Sequence, residues 1–407
     1  MLEQLKRHAA SIGKEAWRPM LVYTAELHER NMHPASAPFP YPWEEIGIGY
    51  FASPAFGHWD LIHQVMDSLP CEPLHARHQL LNNLALQGAD GHVPGTIWLW
   101  NNQVKWSTVT GNPPVWPIAV QEHYELHGDL SLPEACYEPL LRQLGWFERK
   151  RKAEGEGYFY TDILTHSWES GIDDGVRYDA VQTGAFACID ATCHVYQMYE
   201  HAAKWAELLG HEADKARFAA RAEQLGAYIR ERLYAEDAGF FYDSWSVNNP
   251  ALRRTTMDGM WPIVVGAATK EQANSVIDRY LLNPERFFTA HPIPAVSLDD
   301  PGFELRMWRG PTWNSMTYWA ARGCVRYGRT DAALKLLEKA LDATAEQFER
   351  TETVWEFYHP HLGEQTALAR KPYTDVNEPC RDYLGHNPAI ALARLWTQLQ
   401  ASGEVFQ

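Results

Sequence analysis

Three times along this chain an aromatic-rich helical stretch runs into a glycine turn and returns as a second amphipathic stretch. VWPIAVQEHYELHGD leads to LPEACYEPLLRQLGWF, CHVYQMYEHAAKWAELLG to ADKARFAARAEQLGAYI, and WNSMTYWAARGCVRYGRTD to AALKLLEKALDATAEQF. Apolar residues recur at three- and four-residue steps, the spacing of one buried helix face, and Gly128, Gly210 and Gly328 mark the turns. Helical spacing extends over Leu61–Ser68, His78–Leu86, Val115–Leu126, Ala185–Leu209, Asp214–Leu233, Lys270–Tyr280, Trp313–Tyr327, Ala332–Glu349 and Ile390–Leu399. A short β piece is expected near Gly239–Ser244. Stacked αα-hairpins give either an open solenoid or a closed ring. A solenoid would repeat at a short regular period, whereas these hairpins are separated by long irregular segments rich in Trp, Gly, Pro and Asp. The expected fold is therefore all-α: one domain over residues 1–407, an α/α toroid whose long inter-helix loops build a central pocket.

Composition narrows the function. The net charge of −16 is spread over the chain and repels phosphate backbones and anionic lipid, so neither nucleic acid nor a membrane is an expected partner. A small, neutral or weakly charged substrate fits better; nothing in the sequence speaks to oligomeric state. The opening MLEQLKRHAASIGKEAW lacks the apolar core of a signal peptide, and no stretch approaches a membrane span, so a cytoplasmic location is expected. The six cysteines show no C-x-x-C pair and no zinc spacing, so they are read as reduced core thiols. Aromatic residues make up 13% of the chain, and Trp and Tyr present flat apolar faces suited to sugar rings, although large helical cores use them too.

Four segments concentrate candidate chemistry. In GYFASPAFGHWD, Tyr50, Phe51, Trp59 and Asp60 precede an apolar helix; Asp60 suits either a helix N-cap or a ligand contact. From Gln87 to Pro117, Trp98, Trp100, Trp106 and Trp116 lie among Gly, Asn and Pro, which reads as a loop forming a stacking wall. HSWESGIDDGVRYD packs Glu169, Asp173, Asp174 and Asp179 beside Trp168, Arg177 and Tyr178. Crowded carboxylates raise one another's proton affinity while a neighbouring Arg lowers it, which can hold one acid protonated beside another that stays ionised. A Ca²⁺ loop would need a D-x-[DN]-x-[DN]-G ladder that is absent, and a plain acidic capping loop is the remaining structural alternative. Finally, WRGPTWNS supplies Trp308, Arg309 and Trp313, while ETVWEFYHPHLGEQ places Glu356 between Trp355 and Phe357, where desolvation suits it to base work.

Glycosidic hydrolysis needs one protonated carboxyl on the leaving oxygen and one carboxylate on the other side of the ring. Carboxyls about 6.5–9.5 Å apart admit a water and invert the anomer; at about 5–5.5 Å the second becomes a nucleophile. Two acidic loops distant in sequence can meet across a toroid.

At these residues the chain resembles glycoside hydrolase family 63, especially its short bacterial mannosylglycerate and glucosylglycerate hydrolases, and more distantly the family 37 trehalases. ESGIDDGVRYD is similar to the E-S-G-x-D-x-S-x-R-W-D signature, and WEFYHPHLG to the E-x-Y-[DN]-P-x-x-G segment; Trp59–Asp60, QGADGHVP, Pro113–Pro114 and WRGPTW extend the likeness. The resemblance implies an (α/α) six-hairpin toroid and inverting α-glycosidase chemistry without metal or other cofactor, with Asp173 as general acid and Glu356 as general base. It also implies sugar contacts by Tyr50, Phe51, Trp59, Asp60, Gln87, Trp100, Asn112, Glu169, Gly171, Arg177, Trp308, Arg309 and Trp313. Ile172, Gly175 and Asn112 depart from the pattern and bear on subsite size. In NEPCRDYLGHNPA, Glu378 is a rival for the base and Arg381 offers a contact to an acidic aglycone. His359 and His361 are read as loop residues, since a third metal ligand is not evident. A sugar epimerase on a similar toroid, or a carbohydrate-binding protein without catalysis, would not need the Asp173/Glu356 pair.

Overall fold

The computed structural model describes residues 2–100, 103–165, 168–179, 181 and 183–404. Twelve helices form two concentric layers. The inner layer is α2 (Asp60–Ser68), α4 (Trp116–His127), α6 (Ile189–Leu208), α8 (Trp261–Val265), α10 (Asn314–Arg326) and α12 (Ala389–Glu404). Each is paired with an outer helix: α3 (Pro73–Asn82), α5 (Ser131–Lys150), α7 (Glu212–Arg232), α9 (Lys270–Val276) and α11 (Thr330–Thr351) follow in turn, and α1 (Arg18–Arg30) packs beside α12 to complete the sixth hairpin. Inner helices pack in sequence from α2 to α12, and α12 packs back on α2, so the ring is closed and the solenoid is excluded.

The two layers differ as their neighbours require. Fifteen of the twenty residues of α6 are buried, from Ile189 to Ala206, whereas α7 buries only Phe218, Ala222, Leu225, Gly226 and Ile229 along one stripe. The three predicted turns hold: Gly128, Gly210 and Gly328 all have positive φ, which ends one helix and turns the chain into the next. Trp261, Trp319, His63 and His194 fill the middle of the ring, with Trp319 Nε1 donating to His63 Nε2 at 3.0 Å. Among the described residues no helix is long and apolar enough to cross a membrane.

Several boundaries move for identifiable reasons. The stretch expected at His78–Leu86 starts at Pro73, whose fixed φ suits the first helical turn, and ends at Asn82. Ala185–Cys188 is not helical, because Cys188 N–H donates to Tyr158 O at 2.8 Å and the helix opens only at Ile189. After Val276 the expected helix widens into a π turn over Ile277–Leu281. The β piece near Gly239–Ser244 is Phe240–Phe241 paired with Tyr234–Ala235. The tryptophan-rich segment read as a loop carries a ribbon at its centre: β2 (Thr96–Trp100) and β3 (Gln103–Trp106) form an antiparallel sheet with β1 (Ala55–Gly57), with Trp98 opposite Ala55 and Lys105. Its β-branched and aromatic residues alternate, a period of two hidden among turn-forming neighbours.

Candidate active site

A cavity of about 250 Å³ opens where the chain enters the inner helices, and its lining comes from the loops that precede α2, α4, α6, α10 and α12. That end of the ring gathers helix N-termini, whose partial positive charge favours carboxylates. One wall is aromatic. Trp308 and Trp313 stack with centroids 3.6 Å apart, Trp59 lies 5.8 Å from Trp308 and nearly parallel, and His386 meets all three edge-on. Burial holds the His386 imidazole well below its ordinary pKa, so it is neutral, with Nδ1 paired to Ser315 Oγ at 2.7 Å.

Three carboxyls reach the cavity: Asp60, Asp173 and Glu356. Asp60 begins α2, and Tyr383 Oη donates to its Oδ1 at 2.5 Å. Burial pushes its pKa up to about 6 against that hydrogen bond, with Glu356 and Asp173 adding repulsion. Asp173 is partly exposed and accepts from Lys371 Nζ at 2.7 Å. Glu356 is 2% exposed. Arg370 donates to it from Nε at 2.8 Å and from Nη2 at 3.0 Å, and the amide of Cys380 adds a third donor at 3.1 Å. The desolvated setting expected from Trp355 and Phe357 is present, and a guanidinium and an amide supply the hydrogen bonds that water would make.

The crowded acidic loop also differs from expectation, because cations and hydroxyls separate its carboxylates. Glu169 is buried against Arg151 Nε at 2.7 Å and accepts the amides of Thr161 and Gly111. Asp174, held at positive φ, pairs with Arg306 and Arg309. Asp179 takes both Arg309 nitrogens, at 2.6 and 2.8 Å. Ser170 Oγ donates to Asp162 at 2.7 Å. Asp173 alone of Glu169, Asp173, Asp174 and Asp179 lines the cavity. At Gly171, φ is +73° and a Cβ would stand 2.1 Å from the Trp59 ring, so the loop can cross that ring only as glycine.

Of the expected contacts, Tyr50, Phe51, Trp59, Asp60, Asn112, Gly171, Trp308 and Trp313 line the cavity, as do Trp98 and Trp168. The others lie elsewhere. Arg177 is buried in an ion cluster with Asp190, Asp243 and Asp258 at 2.7, 2.8 and 3.2 Å. Arg309 and Glu169 brace the acidic loop from behind. Gln87 donates to Pro139 O and accepts from Arg142, outside the cavity. Trp100 is 40% exposed with its indole N–H on Ala52 O, and Trp106 is likewise 40% exposed, while Trp116 is fully buried on Gln143, so only Trp98 of the expected stacking wall reaches the site. Glu378 is exposed and off the cavity. Arg381 lies over the Trp355 ring at 5.2 Å and donates to Thr351 O, outside the cavity lining.

Sequence reasoning missed Arg370, Lys371, Thr96, Met307, Ile46 and Tyr383 as lining residues. The adjacent cations in ARKPY were the available signal, since two charges beside a proline on an irregular loop invite a carboxylate partner. As for metals, Cys188, Asp190 and Asp243 cluster within 4.8 Å, but the Arg177 guanidinium already bonds both aspartates and supplies the positive charge.

The Mannosylglycerate hydrolase MGH1-like glycoside hydrolase domain model matches residues 54–374. The mannosylglycerate hydrolase of Rubrobacter radiotolerans is 22% identical over 315 residues, 62% of this chain and 69% of that protein. The periplasmic trehalase of Salmonella newport is 22% identical over 190 residues, 46% of this chain and only 32% of the trehalase. In three dimensions, the GH63 mannosylglycerate hydrolase of Thermus thermophilus in complex with glucose superposes with a TM-score of 0.69 at 19% identity, covering 92% of this chain and 99% of that one.

Proposed function

Because the chain belongs to the mannosylglycerate hydrolase MGH1-like glycoside hydrolases, we propose that it hydrolyses a short α-linked glucoside or mannoside with inversion, Asp173 serving as general acid and Glu356 as general base. Candidate substrates are glucosylglycerate, mannosylglycerate or an α-linked disaccharide. The observation that carries this reading is that two carboxyls from loops far apart in sequence line one small aromatic-walled cavity. In the reaction, Asp173 passes its proton to the glycosidic oxygen as the bond from C1 breaks. Glu356 takes a proton from the water that attacks C1 on the opposite face, leaving a β-sugar and the free alcohol. Asp173 must enter protonated, so Lys371 has to part from it as the substrate arrives. Arg370 and the Cys380 amide hold Glu356 as an acceptor aimed at the water. Asp60 and Tyr383 meet glycone hydroxyls, and the buried Trp59 Nε1 and Arg370 Nη1, which have no partner among the described residues, are donors for the same ring.

A second reading has a specific observation behind it. Burial raises the Asp60 carboxyl to about 6, which suits an acid. An α-glycoside with an activated leaving group, such as a 4-nitrophenyl ether, separates the two. It needs no acid, so it should restore activity to Asp173→Asn and not to Asp60→Asn; restoration of Asp60→Asn alone would transfer the acid role. Proton NMR of the first product from a panel of α-glucosides and α-mannosides should show the β-anomer. An initial α-anomer would end the inverting assignment and make Glu356 a nucleophile.

A further inference from the structure

At the opposite end of the ring, where the inner helices finish, a cavity of about 440 Å³ opens into a second of about 370 Å³. The two share Ile118, Glu122, Arg322, Arg326, Arg394 and Gln398, and the second adds Lys204. In a chain of net charge −16 this basin collects four cations against two carboxylates, Glu122 and Glu125. Two are already engaged. Arg322 donates to Glu122 at 2.7 Å and to Tyr318 Oη at 2.9 Å, and Arg394 donates to the carbonyls of Met66 and Asp67 at the end of α2. Lys204 on α6 and Arg326 on α10 are exposed and have no hydrogen bond or ion pair with any described residue. Both act on the buried His201 between them, whose imidazole is held down to about 3, first by burial and then by Lys204, Arg326 and Arg322. Ile118, Val264, Leu395 and the Trp319 ring add apolar surface to a lining that is otherwise polar.

We propose that this basin is a second ligand site, separate from the hydrolytic cavity, for a small molecule that carries a phosphoryl group on a compact organic body. Two unpaired cations facing one concavity match a dianion, and the Arg326 fork and Lys204 ammonium supply donors of the kind that hold phosphoryl oxygens. The chain's net negative charge opposes an anion at long range, so attraction rests on the basin's own cations at short range, and its apolar side chains give the organic body a surface to cover. The proposal does not depend on which carboxyls perform the hydrolysis.

The test uses the full-length protein at low ionic strength with glycerol 2-phosphate and, as the neutral control, glycerol, followed by calorimetric titration and by the melting temperature. Glycerol 2-phosphate should bind saturably and raise the melting temperature, glycerol should not, and the paired change Lys204→Met with Arg326→Met should weaken binding at least about tenfold. Both residues are exposed, so the double variant should keep the unliganded melting temperature. Lys371→Met should bind like the parent; loss of binding there would place the anion in the hydrolytic cavity and overturn the proposal. An equal response to glycerol, no saturable response, or an unchanged double variant would also overturn it.

Discussion

Two clusters of carboxylates lie within one toroid and end in opposite circumstances. Asp60, Asp173 and Glu356 line an open cavity, whereas Asp190, Asp243 and Asp258 close around the Arg177 guanidinium with all four side chains buried. Both clusters hold an acid raised by burial, Asp60 to about 6 and Asp243 to about 7. Local acidity therefore does not distinguish a reactive site from a structural one. Access does: the sealed cluster has spent its cation and admits no ligand, while the open one faces a space with unmatched donors. Arg177 within the sealed cluster is only four residues from Asp173, so the closed and the open cluster adjoin along the chain.

The sharpest way to break that comparison is to neutralise one member of each cluster. Asp173→Asn and Glu356→Gln should each lower kcat on natural substrate by on the order of 10³ to 10⁴ per folded molecule, measured by steady-state kinetics and calorimetry, with the melting temperature nearly unchanged in Asp173→Asn and lowered in Glu356→Gln, which leaves the buried Arg370 without its carboxylate. Near-parental turnover in either would remove that residue from the chemistry. Arg177→Met should do the reverse. It strands three buried carboxylates, a loss of roughly 3–5 kcal/mol in denaturant unfolding, and any activity lost follows the loss of folded protein. A stable but inactive Arg177→Met would instead place Arg177 at the substrate.

The hairpins, their glycine turns and the closed ring were legible because helical periodicity and turn chemistry are local properties. The two carboxyls were legible through motif resemblance, not through their surroundings. What the sequence could not reveal was pairing across distance. The loop ESGIDDGVRYD looks like mutually repelling acids because Arg151, Arg306 and Arg309 lie elsewhere in the chain. Glu356 looks unpaired because Arg370 is on a later loop. Arg177 looks like a sugar ligand because the two aspartates that bury it beside Asp190 come from segments 66 and 81 residues downstream. The tryptophans of the ribbon were misplaced by position along it: Trp98 and Trp100 share a strand face with rings 6.3 Å apart, yet Trp98 lines the cavity while Trp100, at the strand end, is exposed.

Asp60 gives a smaller effect with a worked sign. Its pKa is raised in the folded protein, so its contribution is fully favourable below its ordinary value of 3.8 and is lost as pH rises through about 6. At pH 7 the folded protein therefore carries a buried charge it would be more stable without. Asp60→Asn should unfold later than the parent at pH 7, by roughly 2–3 kcal/mol, with the gap closing toward pH 4, while turnover falls. An equal stability difference at both pH values would mean that Asp60 is not the strained group.

The smallest expected effect tests which glutamate belongs to the cavity. Glu356, read from the sequence as the base, and its rival Glu378 stand on neighbouring loops, and one is 2% exposed and clamped by Arg370 while the other is exposed outside the lining. A base must reach the attacking water directly, and a solvated carboxylate on the rim has no fixed geometry with which to do so. Glu378→Gln should therefore change kcat/KM by less than about twofold, within the range of a surface substitution. A drop comparable to that of Glu356→Gln would mean that the exposed loop folds inward when substrate binds, and the line drawn between open and sealed carboxylates would have to be redrawn around a moving element.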